Sequence, residues 1–445
     1  MTEAPRTSAA SPRAFRLLDR IIDVRPAELA ALGYAWLYIL AVLSSYYILR
    51  PIRDQAGIAG GVNNLQWLFT ATLLGMLVLN VPYGWLVRTL PRSRFIPITY
   101  RFFGANLLMF AVALHWSGPD SAVWIGRIFF VWTSIFNLFV VSVFWAMIVD
   151  LFDSEQGKRL FGFIAAGATV GAIMGSAVTA SLAQHVAELW LLVGAALLLE
   201  VAVFCVGRLS RLSHSLNQRP GPDNTNEVVG GGVLTGITHA FKSPYLVNVS
   251  LFLLLFAITS TFLYFEQASI VSRTLHGRSE QTAFFAKVDL AVNVLTLGVQ
   301  LFLTGRIVRR LGIAIALALL PGFSVLGFGA VAAAPALSSV VPFQVLRRAG
   351  NFAIARPTRE VLFTVLPRED RYKAKSFIDT VIYRLGDQVG AWAFALLGAL
   401  GWGSRASLVA VPLSAAWLAN AIWLGRRQEE MARRQGTEAA AVEHR

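Results

Sequence analysis

Long runs of apolar residues, separated by short polar segments, make up most of the chain. A helix of about 20 residues crosses the roughly 30 Å hydrocarbon core of a bilayer. Because backbone groups in lipid must bond within their own segment, runs this long and evenly apolar are predicted to be helices, not barrel strands. We count about twelve spans, near 31–54, 62–87, 95–116, 122–150, 160–184, 187–207, 244–272, 282–308, 311–334, 337–360, 374–399 and 403–425.

Basic residues alternate between the loops and predict the orientation of the chain. The loops after the first, third, fifth and ninth spans hold almost no Lys or Arg, and only Arg273, Arg278 and Arg405 depart from the pattern. Cytoplasmic loops are the basic ones in membrane proteins. Both termini are therefore predicted to be cytoplasmic, in a bacterial inner (plasma) membrane. The basic loops carry Arg88, Arg92, Arg94, Lys158, Arg159, Arg208, Arg211, Arg219, Arg306, Arg309, Arg310, Arg368, Arg371, Lys373 and Lys375.

The composition agrees with a multi-pass membrane protein. Of the residues, 56% are hydrophobic and 14% are charged, whereas soluble proteins carry about 25% charged residues. The net charge of +14 lies mostly in short loops, so it reflects topology and gives no reason to expect a nucleic-acid partner. We expect the lipid bilayer and a small solute as partners. We also expect the protein to act as a monomer. Residues 1–23 lack the apolar core of a cleavable signal peptide.

Motifs of enzymes and metal sites are missing from the sequence. The single cysteine, Cys205, excludes a disulfide framework and a cysteine metal site. The six histidines show no ligand spacing, and no phosphate-binding loop of the Walker type is present. We therefore expect no enzyme activity, no cofactor and no metal, and predict transport driven by gradients or by exchange.

The chain divides into two similar halves. Residues 84–88 are echoed by 305–309, and residues 155–164 by 369–378, in each case after corresponding spans. Two six-span halves of the same orientation resemble major-facilitator-type transporters, in which two bundles rock about a midplane substrate site. The predicted parts are a cytoplasmic segment (1–30), an amino-terminal bundle (31–207), a cytoplasmic linker rich in Gly and Pro (208–242), a carboxy-terminal bundle (243–426) and a cytoplasmic tail (427–445).

Charged residues within the apolar runs are the candidates for a substrate pathway, because a charge near the middle of a membrane helix costs about 2.5–3.5 kcal/mol. Arg50 and Arg53 are three residues apart and share one helix face. Two guanidinium groups can hold phosphate or carboxylate oxygens. Alternatively, the first span ends at Leu49 and these charges reach the outer headgroups. Glu266 and Arg384 lie deep in the seventh and eleventh spans and are further pathway candidates.

A second group of charged residues is predicted to gate the pathway. Lys287 and Asp289 form an outer gate pair or an ordinary interfacial pair. Lys375 and Asp379 have the spacing of a helical ion pair. Arg347 and Arg348 are adjacent, so at most one of them faces a cavity. The loop after the fourth span and its repeat form a solvated loop or a cytoplasmic gate. The gating candidates are Asp54, Asp150, Glu155, Arg159, Lys287, Glu369, Lys373 and Asp379.

Small residues mark one helix interface. Gly167, Gly171 and Gly175 recur every four residues in the fifth span. Glycine on one face of a membrane helix lets a neighbouring backbone approach closely. We predict close helix packing along this stripe.

Several of these stretches together resemble the plastid and bacterial ATP/ADP translocases, the nucleotide triphosphate/diphosphate exchange family. They are residues 47–54, 142–145, 154–161 and 359–379, and the resemblance covers most of the chain in the same order. It implies a twelve-span relative of the major facilitators that exchanges ATP for ADP or moves other nucleotides. Family positions for a first-span cation, a seventh-span acid and an eleventh-span cation fall on Arg53, Glu266 and Lys375.

The resemblance departs at the fourth span, where the family's acid is replaced by the neutral stretch 132–137. This leaves three possibilities open, namely a different nucleotide, a different coupling ion or another organic anion. The predicted function is a nucleotide or phosphorylated-metabolite antiporter with Arg50, Arg53, Glu266, Lys375 and Arg384 at the substrate. The alternative is a proton-coupled transporter of another small solute, with Glu266 as the titrating group. A membrane scaffold without transport is disfavoured by the buried charges.

Overall fold

The computed structural model describes residues 24–216, 243–366, 374–375 and 377–443, and this part of the chain is all helical. The predicted fold class, an all-α membrane protein, is confirmed. The helices are α1 (Leu29–Ala59), α2 (Leu65–Thr89), α3 (Arg92–Trp116), α4 (Pro119–Leu151), α5 (Ser154–Leu182), α6 (Glu188–Leu216), α7 (Pro244–Thr274), α8 (Arg278–Phe302), α9 (Thr304–Ala333), α10 (Leu337–Gly350), α11 (Tyr383–Ala399) and α12 (Ala406–Glu443).

Ten of these helices are long and apolar enough to cross a membrane. The other two, α10 and α11, each adjoin a π-helical turn. Asn351–Ala355 continues α10 into a short helix, Arg356–Val361, and Ile378–Ile382 precedes α11. With these additions α10 and α11 cover the tenth and eleventh predicted spans. Single π turns often occur at functional sites, and these two lie beside the charged residues Arg356, Arg359 and Asp379.

Helix α1 continues without a break through the first charged cluster. It begins after a short 3-10 turn, Pro26–Glu28, and ends only at Ala59, with Pro51 inside the helix. Pro51 removes one backbone donor but does not end the helix, although proline commonly kinks or breaks helices. Arg50, Arg53 and Asp54 therefore lie within this helix, which does not end at Leu49.

The glycine stripe of α5 packs directly on α1, as predicted. A methyl group added at Gly171 would overlap the Leu40 carbonyl, and one at Gly175 would lie 3.0 Å from Ser44 Cα. The Ser44 hydroxyl donates to the Gly171 carbonyl at 3.0 Å. The two backbones are close because the stripe carries no side chains. This contact fixes α1, the helix that carries the first charged cluster.

Three apolar clusters hold the helices together. One is built almost entirely from residues of α1–α6, and a second from residues of α7–α12 and the adjoining turns. The third joins the two sets through Leu65, Phe130, Phe265 and Phe394. Trp67 of α2 also meets Trp392 of α11 edge to face, with ring centroids 4.7 Å apart. By the predicted topology, this third cluster closes the outer side between the halves.

Candidate functional site

A cavity of about 210 Å³ lies between α1, α2 and α4 on one side and α7 and α11 on the other. It is therefore lined by both halves of the chain, where a rocking transporter would hold its solute. The described lining residues combine two arginines, an acid, amides, hydroxyls and aromatic rings. They are Arg53, Phe69, Thr72, Leu73, Met76, Phe130, Ser134, Asn137, Tyr264, Arg384, Asp387 and Gln388.

Arg53 enters this cavity from α1 and is held by neighbours on α1 and α4. Its guanidinium donates to Asp54 Oδ1 at 2.6 Å and reaches the Ser134 hydroxyl at 3.5 Å. It also lies over the ring of Phe130, 5.1 Å from the ring centre. The hydroxyl of Tyr264, from α7, donates to the same Asp54 oxygen at 3.1 Å. Asp54 thus links the first half of the chain to the second.

Arg384 lines the same cavity from α11. Its guanidinium forms an ion pair with Asp387 at 3.5 Å, one helical turn away. Asp387 is buried and accepts a hydrogen bond from Thr261 at 3.4 Å. Gln388 accepts a hydrogen bond from Thr70 of α2 at 3.0 Å, and Trp392 donates to the same hydroxyl. The outer wall of the cavity is therefore a hydrogen-bonded contact between α2 and α11.

The chemistry of the cavity suits an anion. Guanidinium groups bind phosphate or carboxylate in a planar, two-pronged geometry, and Arg53 and Arg384 come from opposite halves. Each is paired with an adjacent carboxylate, Asp54 or Asp387. A charge buried without a partner costs several kcal/mol, so these carboxylates balance the arginines in the conformation described here. An entering anion must take their place.

Arg50 does not line the cavity; it belongs to a charged bridge between the halves. Its guanidinium lies 3.3 Å from Asp289 of α8, and Arg348 of α10 lies 2.7 Å from the same carboxylate oxygen. The Asp289 side chain is only 2% exposed. Arg347 points elsewhere, so the prediction that the adjacent pair diverges is confirmed. We call Arg50, Asp289 and Arg348 the Asp289 bridge.

The predicted pairing of Lys287 with Asp289 is wrong. Lys287 is exposed, and among the described residues the partners of Asp289 are the two arginines of the bridge. Positions 287 and 289 are about 200° apart around a helix, so both cannot face α1.

Replacement of Asp289 by asparagine is expected to destabilise the protein strongly. Two partly buried arginines would lose their common anion, and removing one partner of a buried ion pair costs about 3–5 kcal/mol. Lys287→Gln changes an exposed charge on the same helix and should stay within about 0.5 kcal/mol. Thermal unfolding of both variants in detergent measures the difference. Equal melting temperatures for the two variants would contradict the bridge.

A second cavity, of about 430 Å³, lies between α1 and α5 on one side and α8 and the end of the tenth span on the other. Its described polar lining includes Asn293, Thr296, Gln300, Arg356 and Glu360. Lys375 lies beside this cavity and not beside the first, because its ammonium group pairs with Glu360. The predicted Lys375–Asp379 pair is therefore wrong, and Asp379 pairs with Arg359 at 3.5 Å.

Glu266 lies in α7, buried to 2% exposure. It is not among the described residues that line either cavity. Its neighbour in sequence, Phe265, packs on Phe69 and Phe394 in the apolar cluster between the halves. Glu266 therefore lies in the helix that carries this contact between the halves, and a part in its opening stays a prediction. Direct contact with a solute remains a prediction.

Two of the predicted cytoplasmic gate residues, Glu155 and Arg159, form ion pairs near the start of α1. Glu155 pairs with Arg25 at 2.9 Å, and Arg159 pairs with Glu28 at 3.0 Å, both within the amino-terminal half. Asp150 is exposed at the end of α4. Glu369 and Lys373 lie outside the described residues. A gating role for this group stays a prediction.

Glu28 anchors the start of α1 to α5. Burial opposes ionisation of its carboxyl, but hydrogen bonds from Arg159, from the Arg25 backbone and from Gln156 prevail and lower its pKa below the ordinary value. Because the pKa of this carboxyl is lower in the folded state, ionised Glu28 stabilises the protein at pH values above its ordinary pKa of about 4.3. This contribution is lost as the pH falls through the lowered pKa.

Glu28→Gln is therefore expected to lower stability by about 1–3 kcal/mol near neutral pH, the range for hydrogen bonds to charged groups. The gap in melting temperature between wild type and variant should stay constant from pH 7 to about 5 and narrow as the pH falls below about 4. Glu155→Gln is the matched control, because the Glu155–Arg25 pair is exposed and exposed pairs contribute little. A gap that does not change with pH would contradict this role of Glu28.

Three contacts of the site were not foreseen from the sequence. Asp387 lies three residues after Arg384, a helical pairing distance that could have been noticed. The contact of Tyr264 with Asp54 across the halves and that of Arg348 with Asp289 within the second half depend on tertiary packing and left no local signal. Arg347 is fully buried without an acid among its described contacts: its guanidinium donates to three hydroxyls, those of Ser324, Ser260 and Thr259.

Comparison with known proteins places the chain in a family. The sequence profile described as Major Facilitator Superfamily matches residues 30–391. No curated protein matches the sequence. Solved structures of similar fold include a bacterial homologue of the human lysosomal transporter Spinster, in an inward-facing and unoccupied conformation, with a TM-score of 0.62 at 14% identity, covering 92% of this chain and 99% of that one.

Two further solved structures show the same fold with different cargo. A bacterial homologue of the iron transporter ferroportin, in its inward-facing state, has a TM-score of 0.60 at 14% identity, covering 88% of this chain and 98% of that one. The nucleoside transporter NupG has a TM-score of 0.52 at 13% identity, covering 92% and 99%. At such identities the likeness establishes the fold and leaves the solute open. With the profile match over most of its length, this chain belongs to the major facilitator superfamily of membrane transporters.

Proposed function

We propose that this transporter exchanges phosphorylated anions, with nucleotides of the ATP/ADP type as the first candidates. The observation that carries the proposal is that Arg53 and Arg384, from opposite halves of the chain, line one cavity. The resemblance of residues 47–54 and 359–379 to ATP/ADP translocases supports the nucleotide as cargo. The same arginines would also accept other phosphorylated metabolites.

Binding would proceed by replacement of carboxylates. Phosphate oxygens would displace Asp54 from Arg53 and Asp387 from Arg384, which keeps each guanidinium paired. The displaced carboxylates are buried, so each would have to take up a proton or reach water as the solute enters. The Tyr264 hydroxyl, from the other half, donates a hydrogen bond to Asp54. Displacement of Asp54 would therefore also weaken this contact between the halves. Occupancy is in this way coupled to movement of the halves, which alternating access requires.

The size of the cavity fits the charged part of such a solute. Sites for complete small molecules usually enclose about 300–1,000 Å³, and this cavity holds about 210 Å³. It accommodates a polyphosphate group, and a whole nucleotide requires the cavity to widen. Widening would also separate Arg50 from Asp289, the contact by which the Asp289 bridge joins the two halves.

The second candidate function is proton-coupled transport of another small solute. Two buried acids favour it: Glu266 beside the contact between the halves and Asp387 at the cavity wall. Protonation of Asp387 would free Arg384 for a carboxylate solute. The sequence points to Glu266 as the titrating group, and Asp387 is the alternative at the cavity wall.

Thermal stability of the purified protein against a panel of solutes separates the two candidates. The panel contains ATP, ADP, other nucleotides and inorganic phosphate. Stabilisation by a nucleotide, lost in Arg384→Gln, is the expected result. If no phosphorylated solute stabilises the protein, while uptake of another solute depends on a proton gradient and is abolished by Glu266→Gln, the nucleotide proposal fails and the second candidate stands.

A further inference from the structure

A groove of about 710 Å³ lies on the outside of the helix bundle, remote from the cavity between the halves. Its walls are the start of α7 and the last part of α12. Its described lining includes Ser243, Tyr245, Ile422, Trp423, Arg426 and Arg427. Next to the groove, Asn420 of α12 donates to the Asn248 carbonyl of α7 at 2.9 Å and holds the two helices together. The groove is thus a fixed feature of the packed helices.

Helix geometry gives the depth of the groove in the membrane. Arg426 lies 20 residues after the start of α12 at Ala406, a rise of about 30 Å, which is the thickness of the hydrocarbon core. Helix α7 begins at Pro244, at the same level. Trp423 is 42% exposed one turn before Arg426, as is typical of residues at the membrane interface. The groove therefore crosses the boundary between acyl chains and headgroups.

Charge at this boundary is positive and only partly balanced. Arg427 pairs with Glu430 at 2.6 Å, and the same glutamate also pairs with Arg434. Glu429 accepts hydrogen bonds from the backbone of Ile313 and Ala314, where α9 is kinked. Among the described residues, Arg426 has no ion-pair partner. Its guanidinium is available at the rim of a groove whose floor is apolar.

We propose that this groove binds an anionic phospholipid, with the phosphate at Arg426 and Arg427 and an acyl chain along Ile422 and Trp423. Basic pockets between membrane helices at the cytoplasmic side bind such headgroups, and the predicted topology places this groove on the cytoplasmic side. The apolar part of the lining, which includes Ala419 and Met431, gives no contact to a free phosphate ion and favours a lipid. The bound lipid would join α12 to α7, the first helix of the second half.

The test uses the purified full-length protein in detergent, titrated with phosphatidylglycerol or with phosphatidylcholine of the same acyl chains. Retained lipid is counted by native mass spectrometry, and the melting temperature is followed in parallel. Wild type is expected to retain phosphatidylglycerol in preference to phosphatidylcholine and to melt at a higher temperature with it. Arg426→Gln should weaken binding about fivefold, the effect of one basic residue near a charged surface, and the double variant with Arg427→Gln further.

Arg433→Gln is the matched control. It removes the same charge from the same helix, but Arg433 lies outside the groove, in a neighbouring depression, and should leave retention unchanged. The proposal is overturned if Arg433→Gln weakens binding as much as Arg426→Gln, since the effect would then be general surface charge. Equal retention of the two lipids by the wild type would overturn it as well. Neither readout depends on transport.

Discussion

Arg53→Gln is expected to weaken binding of the transported anion by about 10–100-fold, the loss of one strong charge-assisted contact. The variant is expected to lose some stability, because buried Asp54 loses its cation, although Asp54 keeps the hydrogen bond from Tyr264; its melting temperature is therefore measured beside its affinity. Arg53→Lys should lose less, since lysine keeps the charge but not the two-pronged geometry. Equilibrium binding of labelled ATP to the purified protein measures both effects.

Arg127→Gln is the control for Arg53. Arg127 is a partly buried arginine of α4, but its guanidinium donates to the Gly60 carbonyl at 2.9 Å and lies over Trp124. It is not among the described residues of the cavity. Its replacement should leave affinity unchanged. If both substitutions reduce affinity equally, the binding depends on total charge and not on the cavity.

Gly171→Val is expected to prevent correct folding or to lower the melting temperature severely. The added side chain would meet the backbone of α1 at Leu40, which cannot move without displacing the whole helix. Overpacking a core typically costs about 1–3 kcal/mol, and contact with backbone belongs at or above the upper end. The hydrogen bond from Ser44 to the Gly171 carbonyl would be lost as well.

Gly162→Val provides the matched control on the same helix. A side chain at Gly162 meets no atom within 4 Å, so the change should be tolerated or slightly favourable for the helix. Yield of monodisperse protein and its melting temperature are compared for the two variants. A Gly171→Val protein as stable as Gly162→Val would show that α1 and α5 do not approach as described.

The fold was predictable because lipid leaves the chain little choice. Apolar run length and backbone bonding dictate helices, and basic loops dictate their direction. The close packing of α5 was predictable as well, because three glycines on one face of a membrane helix are typical of a close contact with a neighbouring helix. The interruptions in the tenth and eleventh spans were not foreseen, because a membrane helix is apolar on most of its surface and the shift of phase at a π turn leaves no visible break in its sequence.

The sequence singled out the buried charges, but only two of the five predicted substrate residues, Arg53 and Arg384, are among the described residues that line the cavity. A charge inside an apolar run is conspicuous, so Arg50, Arg53, Glu266 and Arg384 could be selected from the sequence. The predicted pairs Lys287–Asp289 and Lys375–Asp379 were wrong. Residues that are close along a helix can form an ion pair but need not do so. The actual partners, Asp289 with Arg50 and Glu360 with Lys375, come from other helices.

That difference has a physical origin. A buried charge is stable only beside a charge of opposite sign. Which charges lie close together depends on how the helices pack, and the local sequence does not encode that packing. Arg50 and Arg53 illustrate the consequence. They share a helix and differ by less than one turn, yet Arg50 belongs to the Asp289 bridge and Arg53 to the cavity. Only the arrangement of α8 and α4 around α1 separates the two roles.

Exchange in liposomes tests the central claim most directly. Wild-type protein is reconstituted into vesicles loaded with ADP, and labelled ATP is added outside. We predict uptake that requires the internal nucleotide, is absent from empty vesicles and is lost in Arg53→Gln and Arg384→Gln but retained in Arg127→Gln. Uptake by Arg53→Gln at the wild-type rate, or no exchange of any phosphorylated anion by folded wild-type protein, would contradict the proposal that this cavity carries such an anion.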